Sequence, residues 1–324
     1  MMNSHQQSAV SKQPLGHNFR IKSGLGRQLG IAAAGLCLTL GLARAGGFDK
    51  QRAWDHLQNQ CALGPRNPGG VGHGRCFEYL LGELKQCGAT VSQQDFWGQN
   101  PVSGEAVKMS NIIGRLYPGR TRYVLLCAHW DTRPWADQDA DPANRDKPIM
   151  GANDGASGVA VLLEIARCLA AQDPGIGVEI AFFDGEDMGR QSYLGEYLLG
   201  SREYARLLQV PYPEAAVLLD LVGDADLRIP WEEHSRHSVP KLLDEVFAVA
   251  KRLGETSFVN YAGPAVYDDH IPLLGAGIPA IDLVDFDYPY WHTLQDTPEN
   301  CSAESLGIVG RVVLAWVYQR GIGQ

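Results

Sequence analysis

From residue 120 onward, short, mostly apolar runs alternate with stretches whose apolar positions recur every three or four residues. YVLLCA at 123–128, VEIAFF at 178–183, AVLLDL at 216–221 and IPAIDLV at 278–284 have the length and continuity of strands buried on both faces. ASGVAVLLEIARCLA at 156–170 has a helical apolar face, as do 239–252 and 302–319. Before them, helices are predicted near 48–60 and 73–87, followed by strands near 89–96 and 109–116. Such alternation predicts α/β architecture: a single domain with a mixed, twisted central β-sheet and helices on both faces. No repeat or low-complexity linker interrupts 46–324, which is read as one catalytic domain.

Residues 1–45 follow a different pattern. They contain no Asp or Glu, and Arg20, Lys22 and Arg27 precede an apolar run from Leu29 to Ala43. The run is short and Gly-rich for a membrane span, and it ends at Ala43-Arg44-Ala45, an A-x-A cleavage pattern. This segment is expected to be a signal peptide, or an anchor if uncleaved, with the product periplasmic or secreted. Removing it leaves 23 basic against 37 acidic residues, a net of −14. That surface disfavours nucleic acid and anionic membranes and favours a cationic peptide N-terminus. Export also permits disulfides. Cys61, Cys76 and Cys87 are the best placed for them, whereas Cys127 and Cys168 read as buried thiols within a strand and a helix.

Ligands of open α/β sheets bind beyond the carboxyl ends of the strands. His129, Glu186, Asp187 and Asp220 all fall there, and Asp154 lies in the loop before a helix. In His129-Trp130-Asp131 the carboxylate can fix the imidazole through its second nitrogen. GANDGASG at 151–158 surrounds Asp154 with small residues that permit close approach of a metal or substrate, although an Asn/Asp helix cap gives the same pattern. FFDGED at 182–187 sets two adjacent carboxylates after an apolar strand; one can bind a cation while the other moves protons. Asp220 ends an apolar strand, where a carboxylate needs a partner. Asp268-Asp269-His270 can cap a helix or complete a proton network, and Trp291-His292 offers a second imidazole beside an indole. His, Asp, Asp and His without thiolate suit zinc. No G-x-S-x-G, P-loop or H-E-x-x-H motif is present, and His234 and His237 read as solvated surface.

The chain resembles the M28 metallopeptidase clan, and within it the animal-type glutaminyl-peptide cyclotransferases and their bacterial relatives. The resemblance is carried by AHWDTRPWAD, PIMGANDGASGVAVLLEIAR, FFDGED, LLDLVG, YDDHIP and WHTLQDTPEN, in order over nearly all of 46–324. It implies one zinc held by Asp154, Asp187 and His292, with Glu186 as proton shuttle. It further implies Asp220 and Asp268 as carboxyls hydrogen-bonded with Glu186, and Trp291 lining the glutamine pocket. Ala128 stands where animal members carry a disulfide cysteine, so that bridge is absent. His129 and Asp131 are left as second-metal ligands or structural residues, with His129 expected to turn away from the metal.

The implied reaction is cyclisation of N-terminal Gln of peptides or proteins to pyroglutamate with release of ammonia. The two-zinc aminopeptidases of the clan use five ligands, and His129, Asp154, Asp187, Asp220 and His292 fill all five positions. That alternative stays open, as does a non-catalytic binding domain, which has no physical reason to keep such unpaired carboxylates.

Overall fold

The computed structural model describes residues 47–322; the predicted signal segment 1–45 lies outside the described residues. Eight strands are found there: β1 (Thr90–Gln99), β2 (Ala106–Leu116), β3 (Tyr123–His129), β4 (Gly177–Phe183), β5 (Ala216–Asp220), β6 (Ile229–Trp231), β7 (Phe258–Ala262) and β8 (Ala280–Val284). Six form one mixed sheet in the order β1-β2-β4-β3-β5-β8, while β6 and β7 pair separately. β1, β2 and β4 run antiparallel to one another in turn, and β4, β3, β5 and β8 are parallel.

Alternate residues along each central strand enter opposite cores. Val124, Leu126 and Ala128 of β3 join one core, while Leu125 and Cys127 join the other. The larger core takes five helices: α1 (Lys50–Ala62), α2 (Val71–Gln86), α3 (Ala156–Ala171), α6 (Pro240–Leu253) and α8 (Ala303–Ile322). The second face is covered by α4 (Leu199–Leu207) and α7 (His270–Gly275), which supply Tyr204 and Leu273. A last short helix, α5 (Glu233–Ser238), precedes α6. Side chains such as the fully buried Leu126 hold these layers together; truncating one to Ala costs about 2–5 kcal/mol.

Local chemistry sets the boundaries. Asp49 caps α1, accepting the amides of Gln51 and Arg52, so that helix begins two residues later than the apolar pattern suggests. β8 begins at Ala280, because Pro279 has no N–H for the ladder. α3 begins after Gly155 with no side-chain cap, so the Asp154 carboxylate is not spent on capping. Gly158 lets α3 lie directly on β5: a Cβ there would be 2.2 Å from the Leu219 carbonyl oxygen. The expected disulfides do not form; Cys61, Cys76, Cys87, Cys127, Cys168 and Cys301 are all free thiols. Cys61 and Cys76 are buried in the main core and pack there as small apolar groups.

Candidate active site

Three neighbouring parallel strands end at one edge of the sheet. β3 ends on His129, β4 runs into Asp184–Asp187, and β5 ends on Asp220. The loop between β3 and α3 adds Asp154, and the loop after β8 adds His292, held at φ 56°. Potential ligand atoms of Asp154, Asp187 and His292 all lie within 4.8 Å of one another, and so do those of His129, Asp154 and Asp220. The two groups share Asp154. Its Oδ1 is 3.1 Å from His129 Nε2, and its Oδ2 is 3.6 Å from His292 Nε2. His292 Nε2 is also 3.3 Å from Asp187 Oδ2.

The surrounding residues fix this geometry. Asp296 accepts the backbone amides of Asn153 and Asp154 at 2.8 and 3.1 Å, and Tyr288 donates its hydroxyl to the same carboxylate. Asp131 accepts the amides of Glu186 and Asp187 at 3.1 and 3.3 Å, pinning the turn after β4. Arg133, fully buried, donates to Asp187 Oδ1 at 2.7 Å and clasps both oxygens of Asp137 at 2.8 and 2.7 Å. Asp187 Oδ2 is thereby left buried without a hydrogen-bond partner. Asp137 Oδ1 lies 3.4 Å from His292 Nδ1, on the far side of the ring from Asp154 and Asp187. A carboxylate behind an imidazole whose other nitrogen faces two carboxylates is the usual setting of a metal-binding histidine.

Charge at the site is unbalanced. Burial alone would lower the His292 pKa, but Asp187 and Asp137 outweigh it and push it up to about 9. His129 is likewise raised well above its ordinary value: Asp131, Asp154 and Asp220 overcome the effect of burial. Burial, reinforced by Asp187, raises Asp154, whereas His292 and Arg133 overcome burial to hold Asp187 low. A site that drives its imidazoles towards protonation is short of positive charge. Nitrogen and carboxylate donors around an orphaned oxygen fit a divalent cation, zinc among them.

Glu186 lies beside this cluster, its Oε2 4.0 Å from His129 Nδ1. Burial raises its pKa well above the ordinary value, and the charges of Asp187, Asp268 and Asp269 add to that. Glu186, Asp220, Asp268 and Trp291 line one cavity with Asp154, Asp187 and His292. Trp291 stacks on the His292 ring with centroids 3.6 Å apart and packs against Phe286.

Two expectations are corrected. His129 does not turn away from the cluster; its Nε2 points at Asp154 and Asp220, and the space for the ring exists because residue 155 is Gly. A Cβ on Gly155 would stand 2.7 Å from His129 Cε1. Asp131 stands behind the ring as expected, 3.6 Å from His129 Nδ1, while its carboxylate also accepts the Glu186 and Asp187 amides. Nor does Asp220 hydrogen-bond Asp268 or Glu186. Asp220 Oδ1 takes His129 at 3.2 Å and the Leu221 amide at 2.8 Å, a cationic partner being preferred to a second anion. Asp268 Oδ2 is left without a hydrogen-bond partner, and burial together with Asp220 and Asp269 raises its pKa well above the ordinary value. Arg133, Asp137 and Asp296 escaped the sequence reading. Their signal was an Arg and an Asp four residues apart directly after the H-x-D, and an Asp closely following His292.

Residues 111–317 match Peptidase family M28, and the chain belongs to that family. Within it, the chain is similar to the glutaminyl cyclase of Tannerella forsythia, at 40% identity and a TM-score of 0.80 over 84% of this chain and 98% of the other. It is equally similar to a Zn-dependent exopeptidase from Parabacteroides distasonis, at 38% identity and a TM-score of 0.80 over 84% and 98%. The glutaminyl-peptide cyclotransferase of Bos taurus is 26% identical over 292 residues, 78% of each chain.

Proposed function

We propose that this protein is a zinc-dependent glutaminyl-peptide cyclotransferase, converting N-terminal Gln of peptides or proteins to pyroglutamate with release of ammonia. The observation that carries the reading is the placement of Glu186: it lines the same cavity as Asp154, Asp187 and His292, and burial, reinforced by its acidic neighbours, raises its pKa well above the ordinary value. A shuttle must both take and return a proton, which suits a carboxyl whose surroundings ease its protonation. Similarity to bacterial glutaminyl cyclases favours cyclisation as the reaction served.

Asp154, Asp187 and His292 would hold one zinc ion, which supplies Lewis acidity at the γ-carbonyl oxygen of the substrate. Glu186 accepts a proton from the α-amine as its nitrogen bonds to the γ-carbon. The same carboxyl returns the proton to the amide nitrogen as the C–N bond breaks and ammonia leaves. Asp268 shares the cavity with Glu186, and the two carboxyls oppose each other's ionisation, as Asp220 and Asp268 do. Trp291 packs against the apolar stem of the glutamine side chain and excludes water from the ring-closing conformer. Arg133 and Asp137 keep Asp187 ionised and His292 oriented.

The His129–Asp154–Asp220 group favours a second reading, a two-metal aminopeptidase in which Glu186 activates water. The test is to assay purified protein side by side on Gln-peptides and on leucyl amides, with metal content determined on the same preparation. Ammonia release from Gln-peptides, abolished by a chelator and restored by zinc, supports the cyclase. Two metals per chain, with rapid leucyl amide cleavage and no ammonia, would install the aminopeptidase instead.

A further inference from the structure

The cavity is walled on two sides by loop segments. One is the loop 190–198 between β4 and α4, which contributes Gln191, Ser192 and Leu194; the other is the stretch before α7, which contributes Ala265 to Asp268. Leu194 and Tyr267 are exposed to 54% and 37%, a large apolar outlay for a rim. The first loop is braced internally by Arg190, which pairs with Glu196 and lies over the Tyr193 ring. It is tethered to the catalytic turn where the amides of Leu198 and Leu199 reach the carbonyls of Glu186 and Gly185 at 3.0 and 3.1 Å.

Arg202, one turn into α4, joins the two walls. Its Nη1 donates to the Gly195 carbonyl at 3.1 Å, and its Nη2 donates to the Leu194 carbonyl at 2.8 Å and to the Tyr267 hydroxyl at 3.0 Å. All three acceptors are neutral oxygens. A planar guanidinium engaging three acceptors fixes both direction and spacing, which a lysine ammonium on a flexible stem does not.

We propose that Arg202 is a positioning residue that clamps the Leu194 and Tyr267 walls together, and that these walls form the subsite for the residue following the N-terminal glutamine, favouring a bulky apolar side chain there. The proposal deepens the cyclase reading and rests on it. Leu194, Phe286 and the Tyr267 ring present apolar surface outside the ligand cluster. A substrate lacking a second residue never reaches them. One rich in apolar surface at that position gains its binding there, so loss of the clamp falls on KM and depends on the substrate.

The experiment compares wild type, Arg202→Ala, Arg202→Lys and Tyr267→Phe on glutaminamide and on Gln-Phe-amide, with amide hydrogen exchange followed in the same proteins. In Arg202→Ala, kcat/KM on Gln-Phe-amide should fall about five- to tenfold more than on glutaminamide, chiefly through KM, the size expected for losing a few partly exposed hydrogen bonds. Tyr267→Phe should give a smaller effect in the same direction, and Lys should fail to rescue. Exchange in 190–198 and 264–268 should accelerate together in Arg202→Ala. Equal losses on both substrates, or exchange that changes in one wall only, would overturn the clamp. Failure of wild type to release ammonia from either substrate would instead reject the cyclase reading, and the exchange result would still decide the clamp.

Discussion

Asp137 touches none of the proposed metal ligands except through the back of one ring, yet its charge should set how tightly the metal is held. Burial would raise its pKa, but His292 and Arg133 hold it well below the usual carboxylate range, so it is ionised at any working pH. It stands 3.4 Å from His292 Nδ1 and accepts two hydrogen bonds from Arg133. Asp137→Asn keeps the shape but loses the charge. The imidazole then loses the partner that fixes its orientation and raises its basicity, and Arg133 is left facing Asp187 alone, drawing electron density from a ligand. Removing such a supporting carboxylate typically weakens metal binding about 10–100-fold, which is about 1.4–2.8 kcal/mol. Titration of apo-protein with zinc against a competing chromophoric chelator measures this without reference to turnover. Zinc affinity within twofold of wild type, in a variant with unchanged circular dichroism, would refute the argument that Asp137 orients His292.

Glu186→Gln should keep its metal and fold but lose about 10²–10⁴-fold in turnover; a variant within a factor of about two of wild type removes Glu186 from the mechanism. Glu232 caps α5 through the amides of His234 and Ser235 and binds the Val266 amide. Burial opposes its ionisation, but His270 and those amides prevail and lower its pKa to about 2 from an ordinary 4.5. Its folded value is the lower one, so its stabilisation is complete above pH 4.5 and is lost as pH falls towards 2. Glu232→Gln should therefore cost about 1 kcal/mol in urea unfolding at pH 7, and a gap from wild type that does not narrow between pH 4.5 and 3 contradicts this. N-terminal sequencing of protein from its native host should find a start near Gly46 in material outside the cytoplasm, whereas a soluble cytoplasmic chain retaining 1–45 would refute export.

The long elements were legible because each had a period to read. β3 is an apolar run up to His129, β4 is broken only by Glu179 and β5 is apolar up to Asp220, while α6 repeats its apolar face over 14 residues with Gly254 closing it. Helices α5 and α7 span six residues each, too few turns to establish a period, and β6 is three residues built around Pro230. The site was legible wherever chemistry sat at a strand end. It was obscure where loops did the work: Arg133, Asp137 and Asp296 lie in segments with no periodicity, and their roles follow only from what folds against them. The partners of a carboxylate were the least legible of all. Asp220 was expected to face Asp268, but His129, which ends the neighbouring parallel strand β3, took the place. The EEHSRH run illustrates the same limit, since His237 is exposed as expected while Glu232 in the same run is buried.

Asp154 offers one oxygen to each of two imidazoles, and this has an evolutionary consequence. A scaffold in which adjoining ligand groups share a carboxylate need not move its backbone to change the number of ions it holds. Drift in the few side chains around Asp220 and Asp268 is enough to alter whether that half of the cluster attracts a cation or a proton. On this geometry the same ligand residues serve either cyclisation or hydrolysis. Inventories of ligands will misassign members of such a group, and the informative positions for sorting them are the neutral and acidic neighbours one shell further out.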